Sequence, residues 1–259
     1  MKVEFFHIGP FTVYGYGLMI AIGVVLAFLV AEKRAPGKGL NADQVFNLGI
    51  WCLIGGIIGA KLMYYIVEFP QILKDPSILW HFSDGFVVYG GIILGILTGY
   101  LYCRKKKLVF VKYFDLVMPS IALAQAFGRL GCLMAGCCYG RETDSWFSIT
   151  FQESPFAPNG VALIPTQIMS SVADFLNFAI LLVVAKKAKS DGQVAGMYLI
   201  LYSIGRFFLE CFRGDPRGSV GALSTSQFIA IFILVVGIAV YLYCTKKYPK
   251  NASEKTEEN

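Results

Sequence analysis

The chain has 259 residues, of which 56% are hydrophobic and only 15% are charged, and its formal net charge is +6. Soluble domains carry about a quarter charged residues, so this composition excludes an ordinary soluble protein and predicts an all-α integral membrane protein. The basic residues cluster in short connections, a pattern that sets membrane topology and gives no case for nucleic-acid binding.

Seven apolar segments are long enough to cross a hydrocarbon layer about 30 Å thick. The predicted transmembrane helices are 14–31, 45–67, 86–102, 114–136, 166–185, 194–213 and 224–244. The first segment has no basic n-region and no A-x-A cleavage site, and Glu32, Lys33 and Arg34 follow it. We therefore expect an uncleaved span there and not a signal peptide.

Basic residues follow alternate spans, and this alternation predicts the orientation. Lys and Arg follow the first, third, fifth and seventh spans, whereas the connections 68–85, 137–165 and 214–223 are poor in them. The positive-inside rule then places the N-terminus outside and the C-terminus in the cytoplasm. The predicted organisation is a transmembrane domain over 1–245, with a small outer head at 137–165, and a cytoplasmic tail over 246–259.

Glycines recur every four residues on the second and third spans, which predicts two helices that approach closely. They are Gly55 and Gly59 on the second span, and Gly91, Gly95 and Gly99 on the third. Lys61 follows the second set, and its side chain could either snorkel to the interface or face the interior.

Three charged residues lie in the sixth predicted span. Arg206, Glu210 and Arg213 fall at i, i+4 and i+7, which places them on one helical face. Ionisable groups inside a membrane usually face a cavity or a partner and mark a functional site. Two arginines on one stripe suit an anionic group such as a lipid phosphate.

A further arginine, Arg129, lies well inside the fourth span, among Gly128, Gly131 and Gly136. We expect these glycines to open space for a ligand beside it. An Arg129–Glu210 ion pair that only ties helices together is the alternative. We favour a bound anion, because one glutamate cannot neutralise three arginines in lipid.

Of the seven cysteines, only Cys132, Cys137 and Cys138 lie near one another in sequence. The chain has no paired CxxC framework and only two histidines, which argues against a zinc framework and a histidine-based metal site. A disulfide near the outer face and a covalent acceptor are two open alternatives, but packing as small apolar residues is favoured. His81, in an outer connection, would have to reach the substrate before a role as a base could be assigned.

These residues together resemble the bacterial prolipoprotein diacylglyceryl transferase family over nearly the whole chain. The resemblance is carried by five elements, which are His7–Pro10 with Tyr14–Met19, Asp84-Gly85 with Tyr89-Gly90-Gly91, Gly128-Arg129-Leu130-Gly131 ending in Gly140, Pro165-Thr166-Gln167, and Arg206, Glu210 and Arg213. Their order and spacing across the predicted spans are specific, although each element alone is weak.

The resemblance implies an enzyme of the bacterial cytoplasmic membrane. It would move the diacylglyceryl group of phosphatidylglycerol to the lipobox cysteine in the signal peptide of a prolipoprotein and release glycerol phosphate, without a metal or organic cofactor. Because charge builds up on the departing phosphate, arginines placed there favour the transition state.

The resemblance also implies roles for individual residues. Arg129 would bind the phosphate, Arg206 would stabilise the phosphate or the leaving group, and Glu210 would orient the guanidinium groups. Arg213 would contact the lipid head group or an interfacial phosphate. The remaining expected site residues are Tyr16 and Tyr89 in catalysis, and Gly90, Gly91, Gly128, Gly140 and Gln167 in substrate binding.

The sequence departs from the family signature GR-x-GNF-x-N-x-E-x-x-G. Cys132 and Ala135 replace its asparagines, Cys137 replaces its glutamate, and Tyr89 replaces the histidine before Gly-Gly. Around the P-[ST]-Q element, Ile164, Met169 and Ser170 replace His, Tyr and Glu. A tyrosine, with an ordinary pKa near 10, is a poor base at neutral pH. These departures leave open a diverged relative with the same lipid donor and another acceptor. Separately, seven spans with basic residues along an anion path permit an anion transporter.

Overall fold

The computed structural model describes residues 4–8, 11–80, 85–216 and 218–249, and these are mostly helical. Seven long helices follow one another, α1 (Gly15–Arg34), α2 (Ala42–Val67), α4 (Val88–Lys105), α5 (Phe110–Ala135), α6 (Thr166–Lys187), α7 (Gln193–Glu210) and α8 (Thr225–Lys247). A single turn, α3 (Phe69–Ile72), and two 3₁₀ turns, Pro36–Lys38 and Pro76–Trp80, lie in connections. His81, Asp84 and residues 250–259 of the expected tail lie outside the described residues.

Five of these helices, α1, α2, α5, α6 and α8, are long and apolar enough to cross a membrane. The protein is therefore a multi-pass membrane protein. The predicted spans 86–102 and 194–213 overlap α4 and α7, which have 18 residues each.

The structure corrects the end of the sixth predicted span. Helix α7 stops at Glu210, and Arg213 lies beyond it with its backbone bridged to Gly140. The sequence Gly214-Asp215-Pro216 follows, and proline disfavours helix in the residue before it. Arg213 is thus not one helical turn above Glu210, and the expected three-residue stripe is wrong at its third member.

Three short antiparallel hairpins were not predicted. They are β1 (Glu4–Ile8) with β2 (Phe11–Tyr14), β3 (Ile149–Thr150) with β4 (Ala162–Leu163), and β5 (Ser219–Val220) with β6 (Leu223–Ser224). Phe151, Ala157 and Leu163 form a small buried cluster at the second hairpin. The connection 137–165 is therefore packed around a core of its own, small as that core is.

The chain divides into two compact units, of which the first comprises residues 1–31 and 114–259. Its apolar core joins α5, α6 and α7 through buried residues that include Met118, Leu181 and Val194. Buried Asp115 caps the start of α7, where its carboxylate accepts hydrogen bonds from the amides of Gly192 (2.6 Å) and Ala195 (2.8 Å). The first amides of a helix have no partner within the helix, and here a side chain of α5 accepts their hydrogen bonds. The cap therefore holds the start of α7 against α5.

The second unit, residues 32–113, is built on α2 packed against α4. A Cβ added at Gly59 would lie 2.5 Å from Leu94 Cβ, and one added at Gly91 would lie 2.9 Å from the carbonyl oxygen of Gly56. The small-residue faces therefore pack as predicted. Lys61 is buried, with its Nζ 5.0 to 5.3 Å from the ring centroids of Tyr64, Tyr65 and Phe86, so its side chain faces the interior.

We expect Gly59→Ala to lower the thermal stability of the purified protein. The added methyl group overpacks the α2–α4 contact, at a cost of about 1–3 kcal/mol. Gly205→Ala in α7 is the matched control, because a Cβ there meets nothing within 4 Å and alanine favours helix. Melting temperatures in detergent test this, and equal values for the two variants would contradict the packing assignment.

Candidate active site

The charged residues that end α7 form a hydrogen-bonded cluster with the start of α8. Arg206 Nη2 lies 3.0 Å from Glu210 Oε2 and donates a 2.8 Å hydrogen bond to Ser226 Oγ. Ser224 Oγ donates to the other carboxylate oxygen of Glu210 at 3.0 Å. The Glu210 side chain is only 3% exposed and that of Arg206 15%. Glu210 thus orients Arg206, and the alternative Arg129–Glu210 pair is replaced by an Arg206–Glu210 pair.

Arg213 is held by a different carboxylate. Its Nε and Nη2 donate hydrogen bonds of 2.9 and 2.8 Å to the two oxygens of Asp215, a bidentate arrangement. Its backbone carbonyl accepts a 3.3 Å hydrogen bond from Arg141 Nε, and its backbone bridges Gly140. A Cβ at Gly140 would lie 2.7 Å from Ile164 Cβ, so glycine permits this close approach. These contacts fix Arg213 beside the connection that follows α5.

Arg129 differs from the other two arginines. Within the described part of the chain, no carboxylate lies within ion-pair distance of its guanidinium. The buried carboxylate of Asp174 on α6 attracts it over a longer distance and attracts Arg206 as well. At the preceding residue, Gly128, an added Cβ would meet nothing within 4 Å.

Asp174 and Asp215 correct the charge count made from the sequence. With Glu210 they supply three carboxylates for three arginines, so an overall surplus of positive charge does not hold. The need for an anion is instead local to Arg129, a half-buried guanidinium without a directly paired carboxylate among the described residues. A phosphate oxygen is a suitable partner for such a group.

The sulfur atoms of Cys132, Cys137 and Cys138 lie within 4.8 Å of one another. All seven cysteines of the chain are free thiols, so the disulfide considered from the sequence is not formed. Hydrogen bonds with the Cys132 and Cys137 thiols, together with the charge of Arg213, lower the pKa of the Cys138 thiol. Cys138 is therefore the thiol of this cluster that loses its proton most easily.

Two side chains at the start of α6 fix the turn that carries these cysteines. Thr166 Oγ1 donates a 2.8 Å hydrogen bond to the carbonyl of Cys138, and Gln167 Nε2 donates a 2.9 Å bond to that of Cys137. Cys138 has a φ of 60°, a left-handed conformation that non-glycine residues rarely adopt. Gln167, expected to bind substrate, thus braces the cysteine turn, and its buried Oε1 has no hydrogen-bond partner in the described structure.

Tyr16, near the start of α1, faces the same region. A Cβ at Gly131 would lie 3.2 Å from Tyr16 Cδ2, so glycine lets the ring pack against α5. Electrostatic interactions link its phenol to Cys132, Cys137, Cys138 and Arg129. The structure therefore brings Tyr16, Arg129 and the cysteines together.

Comparisons with known proteins all point to one family. The family model described as Prolipoprotein diacylglyceryl transferase matches residues 3–243. A phosphatidylglycerol–prolipoprotein diacylglyceryl transferase of Clostridium tetani (strain Massachusetts / E88) is 48% identical over 241 residues, which cover 93% of this chain and 97% of the relative. A protein of Clostridium perfringens (strain 13 / Type A) with the same name and the suffix 2 is 48% identical, over 98% of this chain and 100% of its own. A third, from Finegoldia magna (strain ATCC 29328 / DSM 20472 / WAL 2508), is 36% identical over 96% of this chain and 98% of its own.

The chain belongs to the prolipoprotein diacylglyceryl transferase family. The resemblance drawn from short motifs is thereby confirmed, and the protein is a transferase. The cysteine cluster lies in the segment between Gly131 and Gly140, inside the range that the family model matches.

The other expected site residues of this family member lie in the second unit. Tyr89 is the second residue of α4 and is 49% exposed. Gly90 and Gly91 follow it and pack directly against Gly59 and Gly56 of α2. The packing of these glycines is clear from the structure, whereas their part in substrate binding stays a prediction.

Four polar residues of the candidate site were not predicted from the sequence, namely Asp174, Asp215, Ser224 and Ser226. One signal was available for Asp174, because it is a carboxylate in the middle of an apolar span and such groups are expected to have partners. Asp215 gave none, since its pairing with Arg213 depends on how the chain turns after α7.

Proposed function

We propose that this protein transfers the diacylglyceryl group of phosphatidylglycerol to the lipobox cysteine of prolipoproteins, the first step of lipoprotein maturation. Three relatives that align with almost the entire chain bear the name of this reaction. The structural observation that carries the proposal is Arg129. It is a half-buried arginine without a carboxylate at ion-pair distance in the described residues. That arrangement suits an incoming lipid phosphate.

The chemistry needs little covalent participation from the enzyme. The substrate thiolate attacks the glycerol carbon that carries the phosphate ester, a carbon–sulfur bond forms, and the carbon–oxygen bond breaks. Glycerol phosphate leaves with the electron pair. Arg129 binds the phosphate throughout, and Arg206, oriented by Glu210, stabilises the charge that develops on the leaving group.

The remaining residues have supporting roles in this proposal. Arg213, held by Asp215, contacts the head group, while Tyr16 and Tyr89 provide hydroxyl groups for hydrogen bonds to phosphate or thiol. Gly90, Gly91 and Gly140 act through the close backbone packing that they permit, and Gly128 keeps the position before Arg129 free of a side chain. Gln167 acts through the cysteine turn that it braces.

We further propose seven membrane spans, with the N-terminus outside and the C-terminus in the cytoplasm, in the bacterial cytoplasmic membrane. The alternation of basic connections supports this topology. The transmembrane transferase domain then covers residues 1–245, with 137–165 as an outer head and 246–259 as a cytoplasmic tail. Both substrates, the phospholipid and the prolipoprotein signal peptide, reach the site from the outer leaflet.

The direct experiment combines the purified protein with phosphatidylglycerol and a synthetic lipobox peptide. Mass spectrometry should detect a diacylglyceryl peptide and glycerol phosphate in equal amounts. A second reaction contains a peptide in which the lipobox cysteine is replaced by serine, and it should yield neither product. Absence of both products from the cysteine peptide, while a known transferase is active in parallel, would contradict the proposal.

A second candidate is a diverged enzyme that uses the same lipid donor and another acceptor. The replacements at the signature positions, Cys132 and Cys137, and at Tyr89 favour it. Complementation of a strain that lacks its own transferase separates the two. Growth with lipid-modified prolipoproteins supports the first proposal, whereas cleavage of phosphatidylglycerol without prolipoprotein modification supports the second.

A further inference from the structure

The cysteine cluster has features of a binding site that the transferase activity does not by itself require. Three sulfur atoms from the end of α5 and the turn after it converge to within 4.8 Å of one another. The turn is held by two side-chain hydrogen bonds from α6, and Cys138 keeps an uncommon left-handed backbone. Such conformations persist where the surrounding structure enforces them, often at ligand sites.

The geometry suits a thiophilic metal ion. In zinc–thiolate sites the Zn–S distance is about 2.3 Å, so sulfur pairs around a tetrahedral ion lie about 3.8 Å apart. From a separation of at most 4.8 Å, each sulfur has to move by about half an ångström. Side-chain rotation at partly exposed cysteines can supply a shift of this size.

The surrounding charges also suit such an ion. Three thiolates and one Zn²⁺ carry a net charge of −1, which is costly at membrane depth unless a cation lies nearby. Arg213 interacts directly with Cys138, and Arg129 interacts electrostatically with Cys132 and Cys138. Both guanidinium groups are thus close enough to reduce the cost of the negative charge on a three-thiolate centre, although each also has another anionic partner, Asp215 for Arg213 and the lipid phosphate for Arg129.

We propose that Cys132, Cys137 and Cys138 form a three-thiolate site for a d¹⁰ metal ion, with Zn²⁺ as the ion to test first, and that the fourth position accepts the thiol of the peptide substrate. Zinc sites with three protein ligands keep one position open. All three cysteines are partly exposed, so a fourth ligand can approach them. This departs from the expectation, made from the sequence alone, that the chain has no metal site.

The role of the ion rests on the proposed transferase function. Coordination of the substrate thiol to Zn²⁺ releases its proton to solvent and keeps the sulfur as a thiolate at neutral pH. That sulfur then forms the new bond to the glycerol carbon as the carbon–oxygen bond to phosphate breaks, and the metal-bound thiolate becomes a weakly held thioether. The ion thus supplies the thiol activation for which Tyr89 is poorly suited.

The first experiment measures binding without reference to activity. The full-length protein is purified in detergent with a tag that contains no histidine, loaded with Zn²⁺ or Cd²⁺, and dialysed. Elemental analysis should give one ion per chain, and the Cd²⁺ form should show thiolate-to-metal charge-transfer absorption. Cys137→Ser and Cys132→Ser should each weaken binding at least tenfold, while Cys244→Ser, at a buried thiol in α8, should bind as the wild type does. Monodisperse elution checks that each variant is folded.

The second experiment tests the catalytic role. Removal of the ion with a chelator should abolish formation of the diacylglyceryl peptide, and added Zn²⁺ should restore it. Two results with the wild-type protein alone would overturn the metal site. They are binding of clearly less than one ion per chain, and a Cd²⁺ form without thiolate charge-transfer absorption. Full turnover by metal-stripped protein overturns the thiol-activation role. If zinc-loaded protein makes no product at all, the transferase proposal fails, while one-to-one binding by the cysteines stands independently.

Discussion

Arg129→Ala is expected to lower kcat/KM for diacylglyceryl transfer by at least about a hundredfold and to leave the protein folded. Loss of one preorganised group that stabilises developing negative charge typically costs about 10²–10³ in rate. Arg129 makes no direct ion pair with a described carboxylate, and the buried Asp174 that it attracts keeps the attraction of Arg206. Turnover should therefore fall far more than the melting temperature does.

Two further variants sharpen this result. Arg129→Lys keeps the charge but not the planar pair of donors, so we expect partial recovery of turnover. Arg104→Ala removes an exposed arginine from the last turn of α4 and should leave turnover near the wild-type value. Wild-type turnover in Arg129→Ala would remove Arg129 from the phosphate site.

We expect Arg206→Gln to lower both stability and activity. Adding Glu210→Gln should restore stability but not activity. Arg206→Gln removes the Arg206–Glu210 ion pair, and the loss of one member of a buried pair typically costs about 3–5 kcal/mol. The double variant with Glu210→Gln is neutral and can keep hydrogen bonds to Ser226 and Ser224. It should regain most of the lost stability but remain strongly impaired, because Arg206 no longer supplies a positive charge at the leaving group.

Thermal unfolding and turnover of the single and double variants decide this point. If the neutral pair restored both stability and turnover, the Arg206–Glu210 pair would be only a tie between the end of α7 and the start of α8. Ser226→Ala is a useful companion, since it removes one hydrogen bond to Arg206 and leaves the ion pair in place. We expect it to reduce turnover mildly in comparison with the loss of Arg206.

The sequence predicted the helices well because apolar segments of membrane length have few alternative structures. The close packing of α2 and α4 could also be predicted, since the spacing of their glycines is typical of a close helix–helix contact. The end of α7 was predicted wrongly. The spacing of Arg206, Glu210 and Arg213 fits a helix, but the helix ends at Glu210. Hairpins of two residues per strand, such as Ile149–Thr150 with Ala162–Leu163, leave no periodic signal at all.

The sequence allowed the arginines of the candidate site to be predicted, but not the carboxylates that balance their charge. Arg129 and Arg206 are conspicuous in apolar segments, whereas the contributions of Asp174 and Asp215 depend on contacts between separate elements. The cysteines illustrate the same limit. A helical spacing of five residues places Cys132 and Cys137 on different faces, but α5 ends at Ala135 and the following turn brings the sulfurs together.

The Asp115 cap constrains how this protein is assembled in the membrane. The carboxylate that satisfies the first amides of α7 is 77 residues upstream of Gly192, and Gln193 in the same turn donates to Thr245 of α8. Until α7 has docked against α5, the amides of Gly192 and Ala195 lack the Asp115 carboxylate and must bond to water instead. The cap therefore forms only when α5 and α7 pack together, and the turn is completed only after α8 has been synthesised.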